Sequence, residues 1–92
     1  EPLGTLEWLV DHVAAAPAFF ARAMDGGRGD TLLPRFRNAL IQRLSEELAA
    51  RGTCDTKIKA SYIIGGSMAY LASTNKAADP GLVHKMATRI VG

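Results

Sequence analysis

The fold of this chain is decided by residues 58–73, Ile58-Lys59-Ala60-Ser61-Tyr62-Ile63-Ile64-Gly65-Gly66-Ser67-Met68-Ala69-Tyr70-Leu71-Ala72-Ser73. Their length and composition predict a helix, and no charged residue lies between Lys59 and Lys76. At about 100° per residue, this helix has two non-polar faces. Mostly small residues form one face (Ile58, Tyr62, Gly65, Ala69, Ala72, Ser73), and bulkier residues form the other (Ala60, Ile64, Met68, Leu71). Because a helix that is apolar on both faces must be covered on both, we expect one face to meet another molecule.

The composition describes one small domain, residues 1–92. A chain of 92 residues buries only about 60–65% of its unfolded surface, so its core is marginal unless a partner adds to it. The formal net charge of +2 is small and the basic residues are scattered along the chain. We therefore do not expect this chain to bind nucleic acid by itself.

The chain has one cysteine, Cys54, and two distant histidines, His12 and His84. These numbers exclude an internal disulfide and a thiolate zinc site, and we expect neither a metal nor another cofactor. We identify no secretory signal peptide and no membrane-spanning run, which predicts a cytoplasmic protein without a membrane partner. Because the chain begins Glu1-Pro2-Leu3 without a Met, we expect it to be part of a longer protein.

Two helices are predicted in the first part of the chain. Thr5 is the candidate N-cap of the first helix, whose apolar stripe contains Leu6, Leu9, Val10, Val13 and Ala14. On a flank of that stripe lie Trp8 and His12, four residues apart. A short second helix, or a kinked continuation of the first, follows the break at Pro17 and contains Phe19, Phe20, Ala23 and Met24. The glycine-rich residues 25–30 then form a connecting loop.

Three further helices follow this loop. The first of them is capped by Asp30 or Thr31 and ends at Gly52, with an apolar stripe of Leu33, Phe36, Leu40, Ile41, Leu44 and Leu48. Asp55 caps the central helix, and Asp79-Pro80 starts the last helix. The last helix has an apolar side of Leu82, Val83, Met86, Ala87 and Ile90. No segment shows strand alternation, so the predicted fold is all-α with four or five helices.

The sequence predicts no enzyme and no catalytic residues, because no nucleophile stands near a base that a third group could orient. What remains is a set of aromatic and apolar side chains. They form either the hydrophobic core or a ligand pocket between helices, and both interpretations stay open. The candidate ligand-binding residues are Trp8, His12, Phe19, Phe20, Met24, Phe36, Leu40 and Tyr62.

The glycines of the central helix also allow two interpretations. They could let another helix of the same chain lie close, or they could face a second copy. Glycine inside a helix costs about 1 kcal/mol against Ala, so close packing should compensate for it. We favour self-association, in which the last two helices of two copies form an antiparallel four-helix bundle. The candidate interface residues are Gly65, Gly66, Ala69, Ser73, Leu82, Met86 and Ile90.

The order of these features resembles the C-terminal regulatory domain of the tetracycline-repressor (TetR) family of transcription regulators. Leu6-Glu7-Trp8-Leu9-Val10 through Ala16-Pro17-Ala18-Phe19-Phe20 resembles the family's helix, proline-containing break and short apolar helix. Leu32-Leu33-Pro34-Arg35-Phe36 through Leu48-Ala49-Ala50-Arg51-Gly52 resembles its long amphipathic helix. Asp55 through Leu71, followed by Asp79-Pro80-Gly81-Leu82 and a short final helix, resembles its dimerisation pair.

The resemblance implies a homodimeric domain that binds a small apolar or aromatic effector among its first four helices. The effector would alter the DNA affinity of the full-length repressor through its unequal affinity for two states of the dimer. DNA would then be a partner only through a helix-turn-helix domain, which is absent from this chain. Two alternatives stay open: a helical protein–protein interaction module without a small-molecule ligand, and a small carrier of lipids or acyl chains.

Overall fold

The computed structural model describes residues 3–15, 18, 32–73 and 79–92. Within these ranges it contains four helices and no strand: α1 (Gly4–Ala15), α2 (Leu32–Ala50), α3 (Thr56–Ser73) and α4 (Pro80–Val91). The predicted all-α class is therefore confirmed. The short helix predicted around Phe19 and Met24 lies outside the described residues.

Helix α3 packs against α1, α2 and α4, which makes it the central element of the fold. Its bulkier face is turned inward, as predicted: Ala60, Ile63, Ile64, Met68 and Leu71 are buried. The same core receives buried side chains from the other three helices, among them Leu6 and Leu9 of α1, Leu44 and Leu48 of α2, and Val83 and Ala87 of α4. No polar or charged residue of the described ranges is buried, so the core is held together by apolar contact.

Helix α1 begins at Gly4 and not after Thr5, so the predicted cap at Thr5 is wrong. The carbonyl of Leu3 accepts hydrogen bonds from the amides of Leu6 and Glu7, at 3.1 and 3.0 Å. The first amides of the helix donate to the Glu47 carboxylate, from Gly4 at 2.8 Å and from Thr5 at 3.2 Å. A side chain of α2 thus caps α1, and this cap lets the helix start two residues earlier than the local sequence suggests.

The connection between α2 and α3 is a tight turn. Gly52 has a φ of +80°, its amide donates to the carbonyl of Ala49 at 3.0 Å, and the amide of Thr53 donates to the carbonyl of Leu48 at 3.0 Å. This pair of bonds closes the end of α2 as predicted, since glycine adopts a positive φ at little cost. Asp55 follows at a φ of +54°, and its carbonyl accepts from the amide of Lys59 at 3.0 Å. Helix α3 therefore begins directly after Asp55.

Helix α4 is tied to α3 at both of its ends. At its start, the Asp79 carboxylate accepts from the amides of Gly81 and Leu82, which confirms the predicted cap, and the amide of Asp79 donates to the Tyr70 hydroxyl at 3.3 Å. At its end, the Lys59 ammonium donates to the carbonyl of Val91 at 3.3 Å. These bonds hold α4 antiparallel to α3.

The apolar side of α4 is divided between the core and the surface. Val83 and Ala87 are buried against α3, whereas Leu82 is 43% exposed and Met86 is 48% exposed. The apolar side that the sequence predicts for α4 is wider than the part of α4 that α3 covers. The uncovered part borders a groove.

Candidate functional site

An apolar groove runs between α3 and α4 and has a volume of about 240 Å³. Ten residues line it, five from each helix: Tyr62, Ile63, Gly66, Ser67 and Tyr70 from α3, and Leu82, Val83, Met86, Ala87 and Ile90 from α4. Gly66 contributes no side chain and so leaves part of this space open. Apart from the serine and the two tyrosine hydroxyls, its lining side chains offer no hydrogen-bonding group.

The outer face of α3, beside the groove, is not covered by the described parts of the chain. Tyr62 is 70% exposed and Ile58 is 61% exposed, and Ala69 and Ser73 are also exposed. A Cβ atom added at Gly65 or Gly66 would meet nothing within 4 Å. The interpretation that these glycines admit another helix of the same chain is therefore wrong for the described residues. Their cost in helix stability, about 1 kcal/mol each, has no compensating contact there.

A cation lies at one end of the groove. Lys59 precedes Gly66 by seven residues, two turns of the helix, so the two lie almost in line on α3. The Lys59 ammonium reaches the carbonyl of Val91, next to the groove residue Ile90. At the other end, the Tyr70 hydroxyl accepts from the amide of Asp79. The groove thus has a positive end and a neutral hydroxyl end.

Charge is unevenly distributed between the two halves of the sequence. Residues 56–92 contain five Lys and Arg residues and one acid, Asp79, whereas residues 1–55 contain eight acids and six arginines. The second half therefore has a formal charge of +4 and the first half −2. Asp79 caps its own helix, and the exposed cations Lys85 and Arg89 lie on α4. The groove consequently lies in a positive environment, which favours an anionic or acidic partner.

A cluster of aromatic rings lies apart from the groove lining, between α1 and α2. The rings of Trp8 and His12 are stacked with centroids 3.7 Å apart, and the ring of Phe36 lies 5.7 Å from that of Trp8. His12 Nδ1 lies 2.8 Å from the carbonyl oxygen of Trp8. Because a carbonyl can only accept, Nδ1 is the donor, and in the neutral imidazole Nε2 is left as an acceptor. Trp8 is 37% exposed, so the cluster has an accessible edge.

The predicted ligand-binding residues are thus only partly brought together. Trp8, His12 and Phe36 form the cluster, and Leu40, one turn after Phe36, is buried in the core at 3% exposure. Tyr62 lines the groove between α3 and α4 together with residues predicted for the dimer interface. The remaining three candidates, Phe19, Phe20 and Met24, lie outside the described residues.

The predicted interface residues lie on or beside the groove. Gly66, Leu82, Met86 and Ile90 line it, and exposed Ala69 and Ser73 extend along α3 from it, with half-buried Gly65 on the same helix. Two residues at the ends of the groove, Lys59 and Tyr70, were not predicted from the sequence. Lys59 precedes Gly66 by seven residues, and Tyr70 follows Gly66 by four. On a helix, both spacings bring the side chains close to the face that carries Gly66, so the sequence does hold a signal for them.

Glu47 is the most strongly engaged ionisable group among the described residues. Besides the amides of Gly4 and Thr5, its carboxylate meets the Arg51 guanidinium at 3.3 Å. Partial burial alone would raise the pKa of Glu47, but the hydrogen bonds from Gly4 and Thr5 and the charge of Arg51 outweigh it. The pKa of Glu47 is therefore lowered from the ordinary value of 4.5.

The described ranges hold no group of three or more His, Cys, Asp or Glu residues placed to bind a metal ion. None of the helices described is both long enough and apolar enough to cross a membrane.

Comparison with known proteins identifies no relative. No protein-family model matches the chain, and no curated protein or solved structure shows significant similarity to it.

Proposed function

We propose that this chain is the effector-sensing and dimerisation domain of a transcriptional repressor resembling the TetR family. The observation that carries the proposal is the uncovered apolar surface of α3 and α4. It contains exposed Tyr62, Leu82 and Met86 and two mid-helix glycines that nothing in the described chain approaches. A second copy of the same surface would cover it and form a four-helix bundle.

The aromatic cluster supports the effector-sensing part of the proposal. Trp8 and Phe36 offer ring faces to a planar apolar molecule, and His12 Nε2 offers a hydrogen-bond acceptor beside them. The cluster joins α1 to α2, and α2 packs on α3. An effector that binds at the cluster can therefore change the packing of the helix that carries the dimer surface. Such coupling requires unequal affinity for the two states of the dimer.

A helical interaction module is the second candidate, and the charge distribution favours it. Two copies that meet through α3 and α4 bring together two segments of formal charge +4, residues 56–92 of each copy. An acidic amphipathic helix of another protein would cover the same apolar surface without that repulsion.

The oligomeric state tests the dimer directly. We expect twice the mass of one chain in sedimentation equilibrium at micromolar concentration and physiological salt. A monomer under these conditions would contradict the dimer and leave the interaction module as the better candidate.

Thermal stabilisation by a panel of planar aromatic compounds tests effector binding. A ligand at a hundred times its dissociation constant raises the free energy of unfolding by about 2.7 kcal/mol. We expect His12→Ala and Trp8→Ala to abolish this stabilisation, whereas Tyr62→Ala, at the groove, should preserve it. Stabilisation that survives Trp8→Ala would place the effector elsewhere. An upstream helix-turn-helix reading frame would further support the repressor and its absence would count against it.

A further inference from the structure

The groove between α3 and α4 combines apolar walls with a cation at one end. The Lys59 ammonium has three N–H donors and gives one to the carbonyl of Val91, which leaves two for a ligand. We propose that the groove binds a single-chain carboxylate amphiphile. Its carboxylate meets the Lys59 ammonium, and its alkyl chain lies along the groove towards Tyr70.

The apolar lining of the groove favours an alkyl chain as its ligand. Ile63, Leu82 and Met86 present hydrocarbon and thioether surface without strong hydrogen-bonding groups, so a polar molecule would lose its water here without replacement. Gly66 leaves the floor open, since a Cβ there would meet no atom within 4 Å. From Lys59 to Tyr70 the helix rises about 16 Å, which is comparable to the length of an extended dodecyl chain.

The charges around the groove determine the charge of the ligand's head group and the direction in which the ligand lies. The formal charge of +4 on residues 56–92 disfavours a cationic head group throughout this region. At the far end, the Tyr70 hydroxyl accepts from the amide of Asp79 and keeps one uncharged O–H donor, which binds a carboxylate less strongly than a charged ammonium does. The carboxylate therefore lies at the Lys59 end, where two donors are free, and the methyl end lies near Tyr70.

This site is separate from the aromatic cluster, and its link to dimerisation rests on the proposed function. An alkyl chain in the groove would contact Gly66, Leu82 and Met86, which are also proposed to contact the second copy. The two occupants cannot use the same surface at once. Binding of the amphiphile therefore weakens the dimer, and dimerisation weakens binding of the amphiphile. By thermodynamic linkage, the two effects on affinity are equal in size.

Calorimetric titration with sodium dodecanoate, kept below its micelle concentration, tests the head-group contact. We expect saturable binding of one molecule per chain, weakened about tenfold by Lys59→Met. Lys57→Met is the matched control, because Lys57 is exposed and lies about 200° around α3 from Lys59. Dodecyltrimethylammonium should bind more weakly than dodecanoate, and Lys59→Met should not weaken it further. If Lys59→Met and Lys57→Met lost the same amount of dodecanoate affinity, the carboxylate would be attracted by the overall positive charge and not by Lys59. That result would overturn the proposal.

A second variant tests the groove, because Lys59→Met also removes the bond to Val91. Gly66→Leu keeps Lys59, fills the groove and replaces a helix-interior glycine, so we expect at least a tenfold loss of dodecanoate affinity while the circular dichroism spectrum stays helical. Ser61→Leu is the control and should leave affinity unchanged, since exposed Ser61 neither lines the groove nor belongs to the candidate interface. Wild-type affinity in Gly66→Leu would overturn the proposal.

The mass of the wild-type chain separates the failure of this site from the failure of the proposed function. A monomer that binds dodecanoate through Lys59 would remove the dimer and leave the amphiphile site intact. A dimer that binds no dodecanoate at any concentration below micelle formation would overturn the amphiphile site alone. A dimer that dodecanoate converts to monomer would support both.

Discussion

Glu47 joins the first turn of α1 to the last turns of α2, although 43 residues separate it from Gly4. Its two carboxylate oxygens accept from two backbone amides and from Arg51. The N-terminal end of a helix carries partial positive charge, so a carboxylate there satisfies open donors and meets a favourable field. One side chain thus fixes where α1 begins and how its start is placed on α2.

The carboxamide of Gln cannot replace this carboxylate, because one of its two heavy atoms is a donor that would face another donor. We expect Glu47→Gln to lower the free energy of unfolding by about 1–2 kcal/mol. Chemical denaturation at a fixed protein concentration measures this change. Glu46→Gln is the matched control, since exposed Glu46 contacts only Gln42 among the described residues, at 2.9 Å, and should cost a few tenths of a kcal/mol. Equal costs for the two variants would show that the cap contributes nothing.

The pH dependence of Glu47 follows from its lowered pKa. The ordinary value is 4.5, and the folded protein binds the proton less tightly than the unfolded chain does. The stabilisation is therefore fully present above pH 4.5 and is lost as the pH falls through the lowered folded pKa. The difference in stability between wild type and Glu47→Gln should shrink over that acidic interval. A difference that stays constant down to the acid transition would contradict this assignment.

At the level of the element, α3 shows what its sequence could and could not predict. The inward position of Ala60, Ile64, Met68 and Leu71 follows from helical spacing and bulk, and the ends of the neighbouring helices follow from local signals such as Gly52 and Asp79-Pro80. The place where α4 crosses α3 has no such local signal. Tyr62 was therefore predicted to lie with the other aromatic residues, whereas it lines the groove.

The open face of α3 predicts how larger side chains affect self-association. Gly66→Leu and Ala69→Leu should each weaken the dimer more than tenfold, because a branched side chain would hold the second copy away. Neither should unfold the chain, since Gly66 has free space and Ala69 is exposed. Phe36→Leu, in the aromatic cluster, should change the dimer constant much less. Sedimentation velocity across a concentration series measures all three, and equal or reversed effects would place the interface elsewhere.

For the whole molecule, the opposite signs of the two halves matter more than the total charge of +2. A homodimer through α3 and α4 brings like charges together, so salt should tighten it as the screening length falls from about 10 Å at 0.1 M to about 3 Å at 1 M. Binding of an acidic helix would instead weaken with salt. The sign of the salt dependence therefore separates the two candidate functions.

Two charge-neutralising variants sharpen this test. Lys85→Gln combined with Arg89→Gln removes two exposed cations from α4 and should reduce the salt dependence of the dimer. Arg35→Gln combined with Arg37→Gln removes the same charge from exposed positions on α2 and should leave it nearly unchanged. An identical response to both pairs would mean that net charge, and not the position of the charge, governs association.

Some properties of the whole molecule could not be predicted from the sequence, because they depend on contacts between distant residues. The cap of Glu47 on α1 is an example: Thr5 is a better local N-cap, and only the tertiary fold brings Glu47 to Gly4. The stacking of Trp8 and His12 needed no such information, since residues four apart share a helix face. Contacts within one helix were thus predictable, and contacts between helices mostly were not.

The two hydrogen bonds that tie α4 to α3, from Lys59 to Val91 and from Asp79 to Tyr70, have a kinetic consequence. With both ends of α4 fixed, the width of the groove is set before anything enters it. Association with the monomer should therefore be a single step, with an observed rate constant that rises linearly with ligand concentration and shows no plateau from a slow opening. Affinity differences among groove ligands would then arise almost entirely in their residence times.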